Sequence, residues 1–129
     1  AMSNLRAEIV LGWADGEYKF ALRGKEIEEL ERLCGKIGFG EIHQRVVTGS
    51  WFWADLYQIV RLGLIGGGMG AVEAKALTDM YIGQTHPGVI AAGPNSPIDV
   101  ASAVINAVMF GLEDLPPGEA RAGESPASA

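Results

Sequence analysis

The chain has 129 residues, of which 48% are hydrophobic and 20% are charged, and its formal net charge is −6. This length and composition fit one globular domain, which we place at residues 1–115, and they exclude disorder throughout. Lys and Arg are not in excess, so we expect no nucleic-acid binding. Cys34 is the only cysteine, and we find neither a secretory signal nor an apolar run of membrane-spanning length. These features predict a cytoplasmic protein without a membrane span.

The N-terminal segment predicts a β-hairpin over residues 5–23. Apolar side chains alternate with polar or small ones from Leu5 to Trp13, which is the period of a half-buried strand. Asp15-Gly16 supplies a two-residue turn. In this register every apolar side chain lies on one face, and the predicted pairs are Trp13–Tyr18, Leu11–Phe20 and Ile9–Leu22.

Residues 24–113 predict about four to five short helices that pack on the hairpin, so the expected fold class is α+β. The first helix ends at Gly35, and its glutamates between residues 26 and 31 are more typical of a solvated face than of a metal or acid site. A shorter amphipathic segment ends at Gly49. The apolar stripes of these two segments are Ile27, Leu30, Leu33 and Cys34, and then Phe39, Ile42 and Val46.

The third helix is the most apolar, and Ser50 is its predicted N-cap. Its polar side is a narrow seam, which indicates burial on most sides or a face that a partner covers. The predicted apolar residues are Phe52, Leu56, Ile59, Val60 and Leu64, and the polar ones are Asp55, Gln58 and Arg61.

Two more helices and a tail complete the prediction. Gly and Pro interrupt residues 83–97, and so long a connection is either functional or mobile. Ser96 caps the last helix, and residues 116–129 form a disordered tail because nothing there is apolar enough to bury. The inward residues are Val72, Ala76, Leu77, Met80 and Tyr81 in the fourth helix, and Ile98, Ala101, Ile105, Val108 and Leu112 in the last.

The segment Leu64–Ala71, LIGGGMGA, matches the dinucleotide-binding pattern G-x-G-x-x-A at Gly66, Gly68 and Ala71. That fingerprint needs a preceding strand and an acidic residue about 20 positions later. The preceding residues instead have helical periodicity, and THPGVI lies where the acid should be. We therefore interpret the glycines as a helix end and a sharp reversal into the next helix. A small nucleotide- or ligand-binding module that uses residues 66–70 is the alternative.

No group of residues has catalytic spacing, so we predict that the chain is not an enzyme and has no catalytic, cofactor-binding or metal site. His43 and His86 lack partners at metal-ligand spacing, and Ser50 lies outside a nucleophile motif. The aromatic residues near Trp51 and Trp53 suit stacking on a sugar or base, but core or interface packing is the preferred interpretation. A surplus of apolar helical surface favours a protein that associates with other proteins.

The order of these features resembles the small tail proteins of gene transfer agents and related prophages, a family grouped with phage tail assembly chaperones and tail tube components. The hairpin sequence DGEYKFAL, the Leu30-Glu31 pair, the segment ending at Gly49 and the sequence GLIGGG at residues 63–68 carry the resemblance, which extends roughly from Leu5 to Leu112.

This resemblance implies a non-enzymatic role in tail assembly or tail structure. The implied partners are other tail proteins, such as the tape measure or the tail tube, and a homo-oligomer is also compatible. The chain would be cytoplasmic or incorporated in a phage-like particle. Its residues do not choose between a chaperone and a structural component.

Overall fold

The computed structural model describes residues 8–83 and 96–110, which form an antiparallel hairpin and five α-helices. The α+β prediction is confirmed. The predicted tail, most of the connection 83–97, and His86 and Leu112 lie outside the described residues. The elements are β1 (Ile9–Trp13), β2 (Gly16–Phe20), α1 (Gly24–Leu33), α2 (Phe39–Thr48), α3 (Trp53–Gly66), α4 (Ala71–Thr78), a π-helical turn (Asp79–Gly83) and α5 (Pro97–Phe110).

The hairpin forms where the sequence predicts it, but its register is shifted by two residues. The turn residues are Ala14 and Asp15, so Trp13 lies opposite Gly16 rather than Tyr18. The other predicted apolar pairs, Leu11–Phe20 and Ile9–Leu22, are wrong as well. The observed pairs are Leu11–Tyr18 and Ile9–Phe20. A shift of two keeps every side chain on its predicted face, so alternation alone could not detect the error.

Helix α3 lies at the centre of the fold and packs against β2 and against each of the other four helices. Its predicted apolar side is buried at Leu56, Ile59, Val60 and Leu64, whereas Phe52 is 63% exposed. Helix α5 covers another side of α3 and also contacts α2 and β1. The hydrophobic core therefore surrounds α3, as its narrow polar seam suggested.

The start of α3 differs from the prediction in two ways. Phe52, not Ser50, is the N-cap, and the Asp55 carboxylate accepts a hydrogen bond from the Phe52 N–H at 2.8 Å. The Ser50 hydroxyl instead lies 3.1 Å from the hydroxyl of Thr48. Asp55 is also fully buried and forms an ion pair with Arg45 at 2.7 Å, whereas Gln58 and Arg61, the other two residues of the predicted polar seam, are partly exposed. The role of Asp55 is to cap α3 and to join α2 to it.

Helix α4 presents a different face to the core than the sequence predicts. Ala74, Thr78 and Ile82 are buried, whereas Val72 and Met80 are 86% and 59% exposed. The buried residues are four apart and therefore share one side of the helix. The side that packs against α3 therefore carries the small residues Ala74 and Thr78, and the predicted inward residues Leu77 and Tyr81 are only partly buried.

The glutamates of α1 have structural roles. Glu26 is only 8% exposed and accepts a hydrogen bond from the Arg23 N–H at 3.0 Å, so the prediction of a wholly solvated face is wrong there. Glu31 accepts one from the Phe39 N–H, at the start of α2, at 2.9 Å. The predicted helix ends are confirmed, since Gly49 directly follows α2 and Gly35 follows the C-cap of α1, Cys34, and both glycines have a positive φ.

Candidate interaction surface

The glycine segment at the end of α3 lies against the backbone at the end of β2 and just after it. A Cβ atom on Gly66 would lie 2.8 Å from the carbonyl carbon of Ala21, and one on Gly67 would lie 2.6 Å from that of Lys19. The Ala21 N–H also donates to the Gly63 carbonyl at 3.0 Å. Two backbones therefore approach here without room for a side chain between them.

The amides of this segment are occupied by the end of the helix itself. The N–H groups of Gly67, Gly68 and Met69 donate at 3.0 Å to the carbonyls of Gly63, Ile65 and Leu64 respectively. The last two bonds form a Schellman motif around Gly68, whose φ is 116°. The segment is thus a helix C-terminus that presents carbonyls rather than free amides, which argues against the phosphate-binding alternative.

An open groove of about 320 Å³ lies between the hairpin and the outward side of α4. Its floor is mostly apolar, and two carboxylate side chains stand at its edges. We call it the α4 groove, and its lining residues are Asp15, Tyr18, Met69, Glu73, Ala76, Leu77, Met80 and Tyr81.

A cluster of aromatic rings holds the two sides of the α4 groove together. Trp13 is 4% exposed, and its ring contacts those of Tyr18 and Phe20 edge-to-face at centroid distances of 6.2 Å. The same indole ring contacts Tyr81, in the π-helical turn, at 5.8 Å. Such contacts stabilise by about 0.5–1.5 kcal/mol beyond the area they bury. Trp13 therefore fixes the end of α4 relative to the hairpin.

The α4 groove is electronegative. The Tyr18 hydroxyl donates a hydrogen bond to Asp15, and this bond is the main reason that the pKa of Tyr18 lies above its ordinary value. The negative charges of Asp15 and Glu73 raise the same pKa further. Among the described residues, neither Lys nor Arg lines the groove.

A second polar cluster fastens the other side of α4 to α3. Lys75 Nζ lies 2.7 Å from the Asp79 carboxylate, to which the Tyr57 hydroxyl also donates. These hydrogen bonds lower the pKa of Asp79. Because Asp79 begins the π-helical turn, the cluster helps to fix the position of Met80, the next residue along the groove.

The residues that the sequence suggested as candidates for chemistry or stacking instead make contacts within the fold. The His43 ring nitrogen Nε2 lies 2.8 Å from the Asn106 side-chain oxygen, and Trp51 and Trp53 pack partly buried against the core. The exposed ring of Phe52 lies 4.7 Å from the Arg45 guanidinium carbon. The structure does not bring these residues together into one site.

The wider depression beside α2 is a weaker candidate. It has an open volume of about 700 Å³ and is lined by Arg45, Phe52 and four polar side chains. Arg45 is already paired with Asp55 and donates to the Cys34 carbonyl at 3.2 Å, so Asp55 already neutralises its positive charge. The α4 groove is the better candidate because its apolar side chains remain uncovered.

Sequence reasoning missed most of the α4 groove. It assigned Val72, Ala76 and Met80 to the core, although all three are exposed, and gave Glu73 no role. Leu77 and Tyr81 do pack partly buried against the core and also line the groove. The signal was present as a second stripe on the same helix, Ala74, Thr78 and Ile82, whose smaller residues allow close packing.

The described residues contain no group of three or more His, Cys, Asp or Glu side chains that could hold a metal ion. In the same ranges, no helix has the length and apolar character needed to cross a membrane.

Comparison with known proteins identifies one family. The family model described as phage tail tube protein, GTA-gp10, matches residues 6–111. Neither the search of curated proteins nor the search of solved structures found a match.

Proposed function

Because the chain belongs to the phage tail tube protein, GTA-gp10 family, and so to the structural proteins of phage-like tails, we propose that it is a tail assembly protein. In this proposal it binds another tail protein and catalyses no reaction. The observation that supports this proposal is the uncovered apolar surface of α4 and the π-helical turn, where Met80 lines the groove beside the hairpin and Val72 is also exposed. Exposed apolar surface of this kind is typical of sites where proteins associate.

The pKa of Cys34 and the hydrogen bonds of Asp55 and Glu26 support a non-enzymatic role. Burial is the main reason, and the nearby Asp55 carboxylate a further one, that the pKa of the Cys34 thiol is raised to about 12. A thiol with such a pKa is a poor nucleophile at neutral pH. Asp55 and Glu26 are committed to helix capping. The chain's reactive groups are thus used to hold the fold together.

The test is co-expression of the full chain with the tail tube and tape-measure proteins of the same phage-like particle, followed by size-exclusion chromatography with light scattering. We expect a complex with one of them, and the chain should be absent from purified particles if it leaves after assembly. A monomer that binds none of these proteins would refute the proposal.

A subunit that remains in the tail tube is the second candidate. The family description favours it, and so does the hairpin, because each of its strands pairs with only one other strand within the described ranges. An unpaired strand edge can extend the sheet of a neighbouring molecule. Quantitative mass spectrometry of purified particles separates the candidates, since a tube subunit must be present in many copies.

A ligand-binding module remains testable in the same preparation. A nucleotide at 100 times its Kd would stabilise the fold by about 2.7 kcal/mol. We expect no shift in melting temperature with ATP, NAD or acyl-CoA, because the amides at residues 67–69 are already bonded. A clear shift would contradict this expectation.

A further inference from the structure

We propose that the α4 groove binds an amphipathic helix of a partner protein whose apolar side chains are flanked by Lys or Arg. This inference rests on the proposed function, to which it adds a surface and the chemistry of the partner. It follows from the shape of the groove, from its charge and from the charges of the competing occupants.

The apolar lining of the α4 groove suits side chains from a helix. Met69 and Met80 are unbranched and adapt to different partner shapes, and Leu77 lies between the two along the chain. Ala76 and Met80 line the groove four residues apart, and the exposed Val72, which is not part of the lining, lies four residues before Ala76 on the same side of the helix. A partner helix that presents apolar residues at intervals of three and four can lie along this side.

The charge of the α4 groove selects the flanking residues of the partner. Asp15 stands on the hairpin side and Glu73 on the α4 side, so carboxylates border the apolar floor from both elements. A helix with Lys or Arg beside its apolar stripe would pair with both carboxylates, whereas an acidic helix would be repelled.

The other candidate occupants have unfavourable charge. Residues 111–129 of this chain carry four acidic residues and one arginine, a net charge of −3. A second copy would have to present an acidic face of its own, since a symmetric contact places Glu73 and Asp15 of both copies in the same interface. Like charges at close range oppose both arrangements.

The experiment is isothermal titration calorimetry of the full chain with two synthetic peptides of about 18 residues, long enough to form a helix. One places Leu at helical spacing and Lys elsewhere, and the other replaces each Lys with Glu. We expect the Leu/Lys peptide to bind, to weaken as salt is added, and to bind at least about tenfold tighter than the Leu/Glu peptide.

Matched variants assign the binding to the α4 groove. Glu73→Lys and Met80→Ser should each weaken binding of the Leu/Lys peptide about tenfold or more. Glu28→Lys makes the same charge change at an exposed position of α1, and Phe52→Ser removes another exposed apolar side chain. Neither variant should change the affinity for the Leu/Lys peptide. All four positions are exposed, and circular dichroism should show that each variant is folded.

The outcomes separate this inference from the proposed function. Equal binding of the two peptides, no binding of the Leu/Lys peptide, or equal losses in Glu28→Lys and Glu73→Lys would overturn the groove assignment. If a complex with a tail protein survives Met80→Ser and Glu73→Lys but not Phe52→Ser, the function stands and the groove is the wrong surface. A dimer of the wild-type chain that Met80→Ser dissociates would identify a second copy as the occupant and also overturn the inference.

Discussion

Gly66→Ala tests whether the glycine segment is required by close backbone packing. Gly66 is the last residue of α3, and helix propensity alone predicts that alanine stabilises a helical position by about 1 kcal/mol. The structure predicts the opposite sign, because the new Cβ would lie 2.8 Å from the Ala21 carbonyl carbon and nearer still to its oxygen. The neighbours are backbone atoms, so no side-chain rotation can relieve the collision.

The magnitude follows from what must move. Carbon atoms pack at about 3.5–4.0 Å, so the end of α3 must shift by roughly 1 Å. Overpacking of this kind costs about 1–3 kcal/mol. The shift also strains the Ala21–Gly63 hydrogen bond and the one that the Arg23 side chain donates to the Gly66 carbonyl, each of which contributes about 1 kcal/mol. After the propensity gain is subtracted, we expect a loss of about 2–4 kcal/mol.

The assay is urea unfolding followed by circular dichroism, which gives the midpoint and the slope of the transition. Gly40→Ala is the matched control, since Gly40 lies within α2 and a Cβ there meets nothing within 4 Å. We expect Gly40→Ala to raise the midpoint slightly and Gly66→Ala to lower it by about 1–2 M. If both variants shift the midpoint upward, close packing at Gly66 is refuted.

Three further predictions concern other parts of the fold. Cys34 should react with a thiol reagent at pH 8 only slowly until urea is added, because its pKa is about 12; equal rates in both conditions would contradict its burial. Ala14→Gly should raise the free energy of unfolding by about 0.5 kcal/mol in thermal melts, because Ala14 has a φ of 56°, where glycine is not strained. Asp79→Asn should lower the melting temperature at pH 7, and the difference from the wild-type chain should shrink as the pH falls below 3.8. The hydrogen bonds from Lys75 and Tyr57 lower the folded-state pKa of Asp79 below 3.8, so its stabilising effect is complete above the unfolded-state pKa and is lost as pH falls through the folded one.

The elements themselves were predictable because each follows from a local pattern. Alternation identified the hairpin, helical spacing identified the helices, and Gly35 and Gly49 marked the ends of two of them. The hairpin register was not predictable from alternation. Asp15-Gly16 and Ala14-Asp15 both close a two-residue turn and leave the same faces buried, so the conformation of Ala14 decides between them.

Predictions failed where the outcome depended on contacts between two elements of the fold. The sequence of α4 contains two stripes, and hydrophobicity alone favours Val72 and Met80 over Ala74 and Thr78 as the buried set. The packing of α4 against α3 instead buries the smaller residues Ala74 and Thr78 and leaves Val72 and Met80 exposed. The sequence placed Asp55 in a polar seam without a partner for a similar reason, since Arg45, with which it pairs, is on another helix.

The glycine segment connects the stability of the fold to the α4 groove. Gly66 and Gly67 press the end of α3 against the chain that leaves the hairpin, and Gly68 then reverses the direction so that Met69 lines the groove and α4 begins at Ala71. The hairpin side and the α4 side of the groove are therefore positioned by the same backbone contact. A residue larger than glycine at position 66 would displace α4 relative to the hairpin as well as destabilise the core. The pattern that first suggested a phosphate loop thus determines the geometry of the α4 groove, although none of its three glycines at positions 66–68 lines that groove.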